Sequence, residues 1–178
     1  IAPPDFYDLY NNANLPYDNY QNLSKNKLHS WVKGIRESWP YDDYMDEEKR
    51  NIAVQAYYGM CSFMDSNVGK LLTELKQCDI YDDTTIIYAS DHGESLGNRG
   101  LWGKMTMYED SASIPLIIKG ANFKKNQMCK TPVNLIDLYP TIFDILSLDH
   151  VASGVSIDGE SLRAVANKTY DKDRCVLS

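Results

Sequence analysis

The chain reads as an α/β protein. Three features predict this class: a long helical repeat over residues 47–77, a β-branched run at Thr84–Ser90 directly after it, and a second such run at Ile114–Lys119 beyond a polar, glycine-bearing loop. Helix, turn, strand, loop, strand is the order of an α/β unit with a largely parallel sheet. A length of 178 residues, 43% of them hydrophobic and 24% charged, suits one globular domain or part of a larger one. No apolar run approaches the roughly 20 residues of a membrane-spanning helix. The formal charge of −7 argues against a nucleic-acid-binding face.

Residues 1–45 are rich in Tyr, Asn, Asp and Pro with little periodicity, which predicts an irregular segment, pinned by its aromatic rings, that wraps over the rest. Asp5, Asp8, Asp18, Asp42 and Asp43 are read there as solvated turn formers. Within the same segment, residues 23–35 predict a short helix, on which His29 has no partner in sequence.

Residues 46–150 form the expected α/β core portion. Asp46 is a candidate N-cap, with Glu47 and Glu48 in the first turn, where the helix dipole favours negative charge. Ala53, Tyr57, Met60, Met64, Val68, Leu71 and Leu75 recur at spacings of three and four and predict one buried stripe, with Gly59 or Gly69 as places to bend. The run Thr84–Ser90 is too short and too branched for a helix, so it reads as a buried strand. A further strand is predicted at 128–134, then a helix capped by Asp137 with Pro140 in its first turn. Residues 151–178 are read as a tail with a turn at Asp158–Gly159 and a short helix at Ser161–Ala166. Cys61, Cys78, Cys129 and Cys175 form no C-x-x-C pair and read as free thiols, the first two on a helix.

The chemistry gathers in the loop between the two runs. Asp91 and His92 sit just past the carboxyl end of the first strand, the edge at which open α/β sheets bind ligands. Together they offer a hard oxygen and an imidazole nitrogen to one divalent cation. Glycines at 93, 97, 100 and 103 allow the loop to fold back, so that Arg99 and Lys104 could return to the same place. A cation and an ammonium on one tetrahedral anion is a sensible pairing, the first polarising an oxygen and the second neutralising charge on another. The bland alternative is a capped turn, a satisfied loop histidine and two surface cations.

The run DHGESLGNRGLWGKMTMYEDSASIPLII resembles the carboxyl-terminal metal-site segment of the sulfatases in the alkaline-phosphatase superfamily, most of all their choline-sulfatase-like branch. The likeness covers roughly residues 50–162 and includes the box Asp158-Gly159-Glu160-Ser161-Leu162. It implies a three-layer α/β/α sandwich of which only the carboxyl-terminal part is present. It also implies that Asp91 and His92 hold a divalent cation, calcium or in some relatives manganese, and that Lys104 contacts the sulfate group and assists the departing oxygen. Arg99 and Trp102 match the pattern without a direct catalytic role, and Glu109 matches a structural glutamate. The implied substrate is a sulfate ester of a small molecule or sugar.

Two departures stand out. Ser113 occupies a position where family members often carry Arg, and the sequence has no C-x-P-x-R or S-x-P-x-R site to yield the formylglycine nucleophile. Ser38-Trp39-Pro40-Tyr41-Asp42 comes nearest and fails at its last residue. With a first residue that is not Met, this predicts a fragment whose missing amino-terminal half holds the formylglycine and the other metal ligands, and which is inactive alone. The rival expectations are a phosphonate monoester or phosphodiester hydrolase of the same superfamily, and a degenerate member acting as a binding module.

Overall fold

A computed structural model describes residues 2–15, 28–120, 123–148, 157–167, 171 and 173–176. Asp18, the start of the helix expected from residue 23, and much of the tail from Ser153 lie outside the described residues. The chain divides into two compact units. Unit 1 comprises Ile1–Tyr81 and His92–Ile114, and unit 2 comprises Asp82–Asp91 and Pro115–Ser178.

Unit 1 is built on the long helix. Where the sequence predicted an irregular segment, Pro4–Asp8 is a short helix, α1, with Pro4 in the first turn, where its missing N–H costs nothing. The second helix, α2, spans Ser30–Ser38, and His29 is its N-cap, with Nδ1 accepting from the Trp31 backbone N–H. That gives the isolated histidine a structural task. The long helix α3 runs Glu47–Gln77, with the Asp46 carboxylate accepting from the Lys49 N–H, as the capping signal predicted. This bond, then the Lys49 ammonium beside it, holds the Asp46 carboxyl below the usual carboxylate range.

The seam on α3 differs from the expected stripe. Contacts to the segment containing α1 fall at Gln55, Tyr58, Gly59, Ser62 and Phe63, a helical face offset from the predicted one. Gln55 donates to the Tyr7 carbonyl and the Asn11 side chain, Tyr10 bonds Ser62, and Phe6 meets Phe63 edge-on. A Cβ on Gly59 would stand 3.0 Å from Ala2 Cβ, so this glycine serves close approach. Met64 and Leu71 of the predicted stripe are 52% and 59% exposed. The periodicity reading failed because the real seam is half polar, held by hydrogen bonds and ring edges that hydropathy does not mark.

In unit 2, β1 (Ile86–Ala89) and β2 (Leu116–Lys119) pair antiparallel, with Ile86 opposite Lys119 and Ala89 opposite Leu116. The expected parallel arrangement is thereby corrected for this pair. A parallel pair needs a connection that crosses to the far end of the sheet, whereas the chain here leaves β1 at Ala89 and re-enters β2 at the residue opposite. Both strands are shorter than predicted. Pro115 has no N–H for the ladder, so β2 starts after it. Residues 128–134 carry no strand.

The helix α5 (Leu138–Ile145) follows a single 3-10 turn, Leu135–Asp137. Pro140 lies in its first turn and Asp137 at its N-cap position, both as predicted, though the Asp137 side chain makes no cap bond to the helix; Asn134 caps the preceding 3-10 turn, its side chain accepting from Ile136 N. Asp137 instead gathers donors: its carboxylate accepts from Asn134 N, from Glu160 N and from Arg174 Nη2, the last two at 2.9 Å, while only 1% of the residue is exposed. Thr141, fully buried, donates to the Asp137 carbonyl and accepts from Leu162 N, tying α5 to α6 (Leu162–Asn167). All four cysteines are free and exposed, with Cys61 on α3 and Cys78 at its C-cap.

Removing a buried carboxylate that balances a part-buried guanidinium and two backbone donors leaves them uncompensated. Asp137→Ala is therefore expected to lower stability by about 3–5 kcal/mol, read by denaturant unfolding; a loss under about 1 kcal/mol, the level of an exposed pair, would contradict this role.

Candidate active site

The loop between the strands folds within unit 1 from His92 to Ile114. Its first fold is a close approach: Gly93 N–H donates to Ser111 O at 2.8 Å. A Cβ on Gly93 would lie 2.2 Å from the Asp110 carbonyl oxygen, so no other residue fits without backbone movement. The middle of the loop is a compact reversal in which Gly97 N–H donates to Leu101 O and Ser95 N–H to Gly103 O. Gly103 has φ +79°, and space around it is open, so here the dihedral and not crowding calls for glycine. A carboxylate holds the reversal closed: Glu94 Oε1 accepts from Gly103 N at 2.6 Å and from Leu96 N at 3.2 Å.

This folding brings two of the predicted residues together. Lys104 Nζ lies 2.6 Å from His92 Nε2. The other ring nitrogen, Nδ1, is 2.8 Å from the Gly93 carbonyl, which can only accept. Nδ1 therefore carries the proton, and Nε2 presents a lone pair to the ammonium. Lys104 is exposed and His92 half-buried, so the pair stands open to a ligand.

Asp91 closes the first segment of unit 2, two residues past β1, as the strand-end reading expected. It is exposed, and its Oδ1 is 3.5 Å from the Ser90 hydroxyl. Arg99 is drawn elsewhere. Its guanidinium donates to Asp110 at 2.6 Å and lies 4.4 Å over the Tyr108 ring. It is thus a staple across the loop. Trp102 packs on Gly97 and, at a tilt, near Tyr41. Glu109 is exposed in the first turn of the short helix α4 (Glu109–Ala112), and Ser113 ends that helix with its N–H on Glu109 O.

Two residues that matter here were assigned no task from sequence. Glu94 stood in plain view inside the motif, but nothing in spacing told which backbone donors it would collect. Trp31, whose Nε1–H donates to the Met105 carbonyl at 3.0 Å, lies far upstream in the segment read as wrapping.

A family model described as Sulfatase matches residues 10–148, most of the chain. The chain belongs to the sulfatase family. Among its relatives, arylsulfatase K of Canis lupus familiaris is 37% identical over 130 residues, which is 73% of this chain and 22% of that protein. The choline-sulfatase of Rhizobium meliloti (strain 1021) is 34% identical over 172 residues, or 94% of this chain and 33% of that protein. The solved phosphonate monoester hydrolase of Silicibacter pomeroyi superposes with a TM-score of 0.78 at 28% identity, covering 98% of this chain and 36% of the other. The chain thus spans about a fifth to a third of the length of these relatives. Its fold is part of the α/β fold of the alkaline-phosphatase and sulfatase type, as expected from the motif.

If Gly93 is needed for close approach, Gly93→Ala should cost about 1–3 kcal/mol, as overpacking does, and speed amide exchange at Gly93 and Leu96. A variant with the wild-type melting temperature and unchanged exchange would refute the contact.

Proposed function

We propose that this chain supplies the cation-binding pair and the oxyanion-binding lysine of a sulfuric ester hydrolase acting on a sulfated small molecule or sugar. The observation that carries the reading is the Lys104 ammonium seated on His92 Nε2. It puts a proton-bearing cation and a ligand-competent imidazole within one contact of each other, at the motif that resembles the sulfatase metal site. Membership in the sulfatase family supports it, as do the names of the relatives, an arylsulfatase and a choline-sulfatase.

The donor set fits part of a divalent-cation shell. The Asp91 carboxylate provides hard oxygen, and the His92 tautomer, fixed by its Nδ1–H on the Gly93 carbonyl, provides a nitrogen lone pair. Calcium is the first choice and manganese the alternative. Among the described residues there is no group of three or more His, Cys, Asp or Glu able to hold a metal. Two donors leave most of a shell of about six to eight unfilled, so further ligands, and the formylglycine nucleophile of this family, would have to join this pair from outside it. A cation bound there supplies Lewis-acid polarisation of a sulfate oxygen.

Lys104 does the rest of what this chain contributes. Hydrolysis breaks the ester S–O bond and leaves negative charge on the departing oxygen, which must take up a proton. An ammonium at that oxygen neutralises the charge and holds a proton ready for it. His92 Nε2 has a single lone pair, so it serves either Lys104 or a cation. With His92 engaged, the Lys104 ammonium turns to the substrate oxygen.

A second reading is favoured by the solved relative with a TM-score of 0.78, which is a phosphonate monoester hydrolase. That chemistry also transfers a tetrahedral anion and would use the same three residues.

In the full-length protein, Lys104→Ala should lower kcat on an aryl sulfate by about 100-fold or more with the melting curve unchanged, and wild type should prefer the aryl sulfate to phosphonate and phosphodiester analogues. Near-normal turnover would remove the lysine from the reaction, and a preference for phosphonates would move the protein to the second reading.

A further inference from the structure

We propose that Glu94 and Trp31 are positioning residues that grip the backbone on either side of Lys104 and so aim its ammonium. The inference deepens the functional reading above and rests on it, since Lys104 needs aiming only if it meets substrate.

The geometry is two-sided. On the amino-terminal side, both backbone groups of Gly103 are held: its N–H by Glu94 Oε1 at 2.6 Å and its carbonyl by the Ser95 N–H at 3.0 Å. On the carboxyl-terminal side, the Met105 carbonyl accepts the Trp31 indole N–H at 3.0 Å, although the two residues are 74 apart in sequence. Lys104 is the one residue between these fixed points. Its Cα is thereby located, and the side-chain torsions alone remain to be spent in reaching His92.

This arrangement answers a physical difficulty. Lysine loses up to about 2 kcal/mol of rotamer entropy when its end is fixed, and this one is exposed, with little packing around it to choose a rotamer. Freedom in the backbone beneath would add to that loss, so a rigid base is the economical way to keep Nζ near one place. Glu94 suits the task better than a neutral acceptor, because a carboxylate collecting two N–H groups makes shorter and stronger bonds. Trp31 suits it because the indole N–H donates and never accepts, so it selects a carbonyl. Trp31 is 62% exposed, so burial is not what keeps it there.

The test uses the full-length protein and trace labelling with an amine-reactive reagent, read at each lysine by mass spectrometry, alongside steady-state kinetics. In Glu94→Ala the labelling rate of Lys104 should rise several-fold relative to Lys49 and Lys124, with kcat falling and KM nearly unchanged. Glu94→Gln, which retains an acceptor oxygen, should restore most of both. Trp31→Phe should show a smaller shift in the same direction; if Glu94→Ala fails to fold, this variant, lacking one exposed hydrogen bond, carries the test. Unchanged Lys104 labelling in folded Glu94→Ala or Trp31→Phe, or a Gln variant as impaired as the Ala variant, overturns the proposal. Wild-type protein without ester hydrolysis would sink the functional reading, while the labelling still decides the grip.

Discussion

A single carboxylate closing on a backbone N–H, Glu94 on Gly103, is the constraint on which the site depends. The loop is glycine-rich and largely polar, and Leu101 is its one buried large apolar side chain. What remains is hydrogen bonding, and a charged acceptor is the strongest form available. The glycines then divide the work: Gly93 makes room for the Asp110 carbonyl, and Gly103 takes a dihedral that branched residues resist. With those conditions met, Lys104 arrives at His92 from the far end of the motif.

The same device recurs in unit 2. Asp137 gathers two backbone N–H groups and the Arg174 guanidinium, and through Thr141 its carbonyl helps hold the start of α6. In each unit, an acid that a sequence reader would set aside as a helix cap or a surface charge organises a length of irregular backbone. The acid that does behave as a simple cap, Asp46, has no such gathering role among the described contacts. The distinction lies in which distant donors the fold delivers, and no local pattern records that.

This explains what was legible beforehand. The long helix, its Asp46 cap and the helix containing Pro140 were visible because capping and periodicity are local. The strand-end position of Asp91 was visible because a β-branched run precedes it. The strand pairing was misread because direction depends on where the intervening loop returns, and that loop folds by contacts such as Gly93 to Ser111 that leave no periodic trace. The buried face of α3 was misplaced because its seam uses Gln55, Gly59 and Ser62 where hydropathy looks for Met and Leu. Of the proposed site, Asp91, His92 and Lys104 came from the motif, whereas the parts proposed for Glu94 and Trp31 rest on bonds to Gly103 and Met105 that leave no mark in sequence.

The account comes down to the state of one ring. His92 must carry its proton on Nδ1 and keep Nε2 as an acceptor for Lys104, because only that tautomer can also turn a lone pair to a cation. Long-range proton–nitrogen correlation spectra of the His92 imidazole decide this directly. The account predicts a protonated Nδ1 and an unprotonated Nε2 whose shift moves when Lys104 is replaced by Ala. A ring with its proton on Nε2, or one insensitive to that replacement, would contradict it.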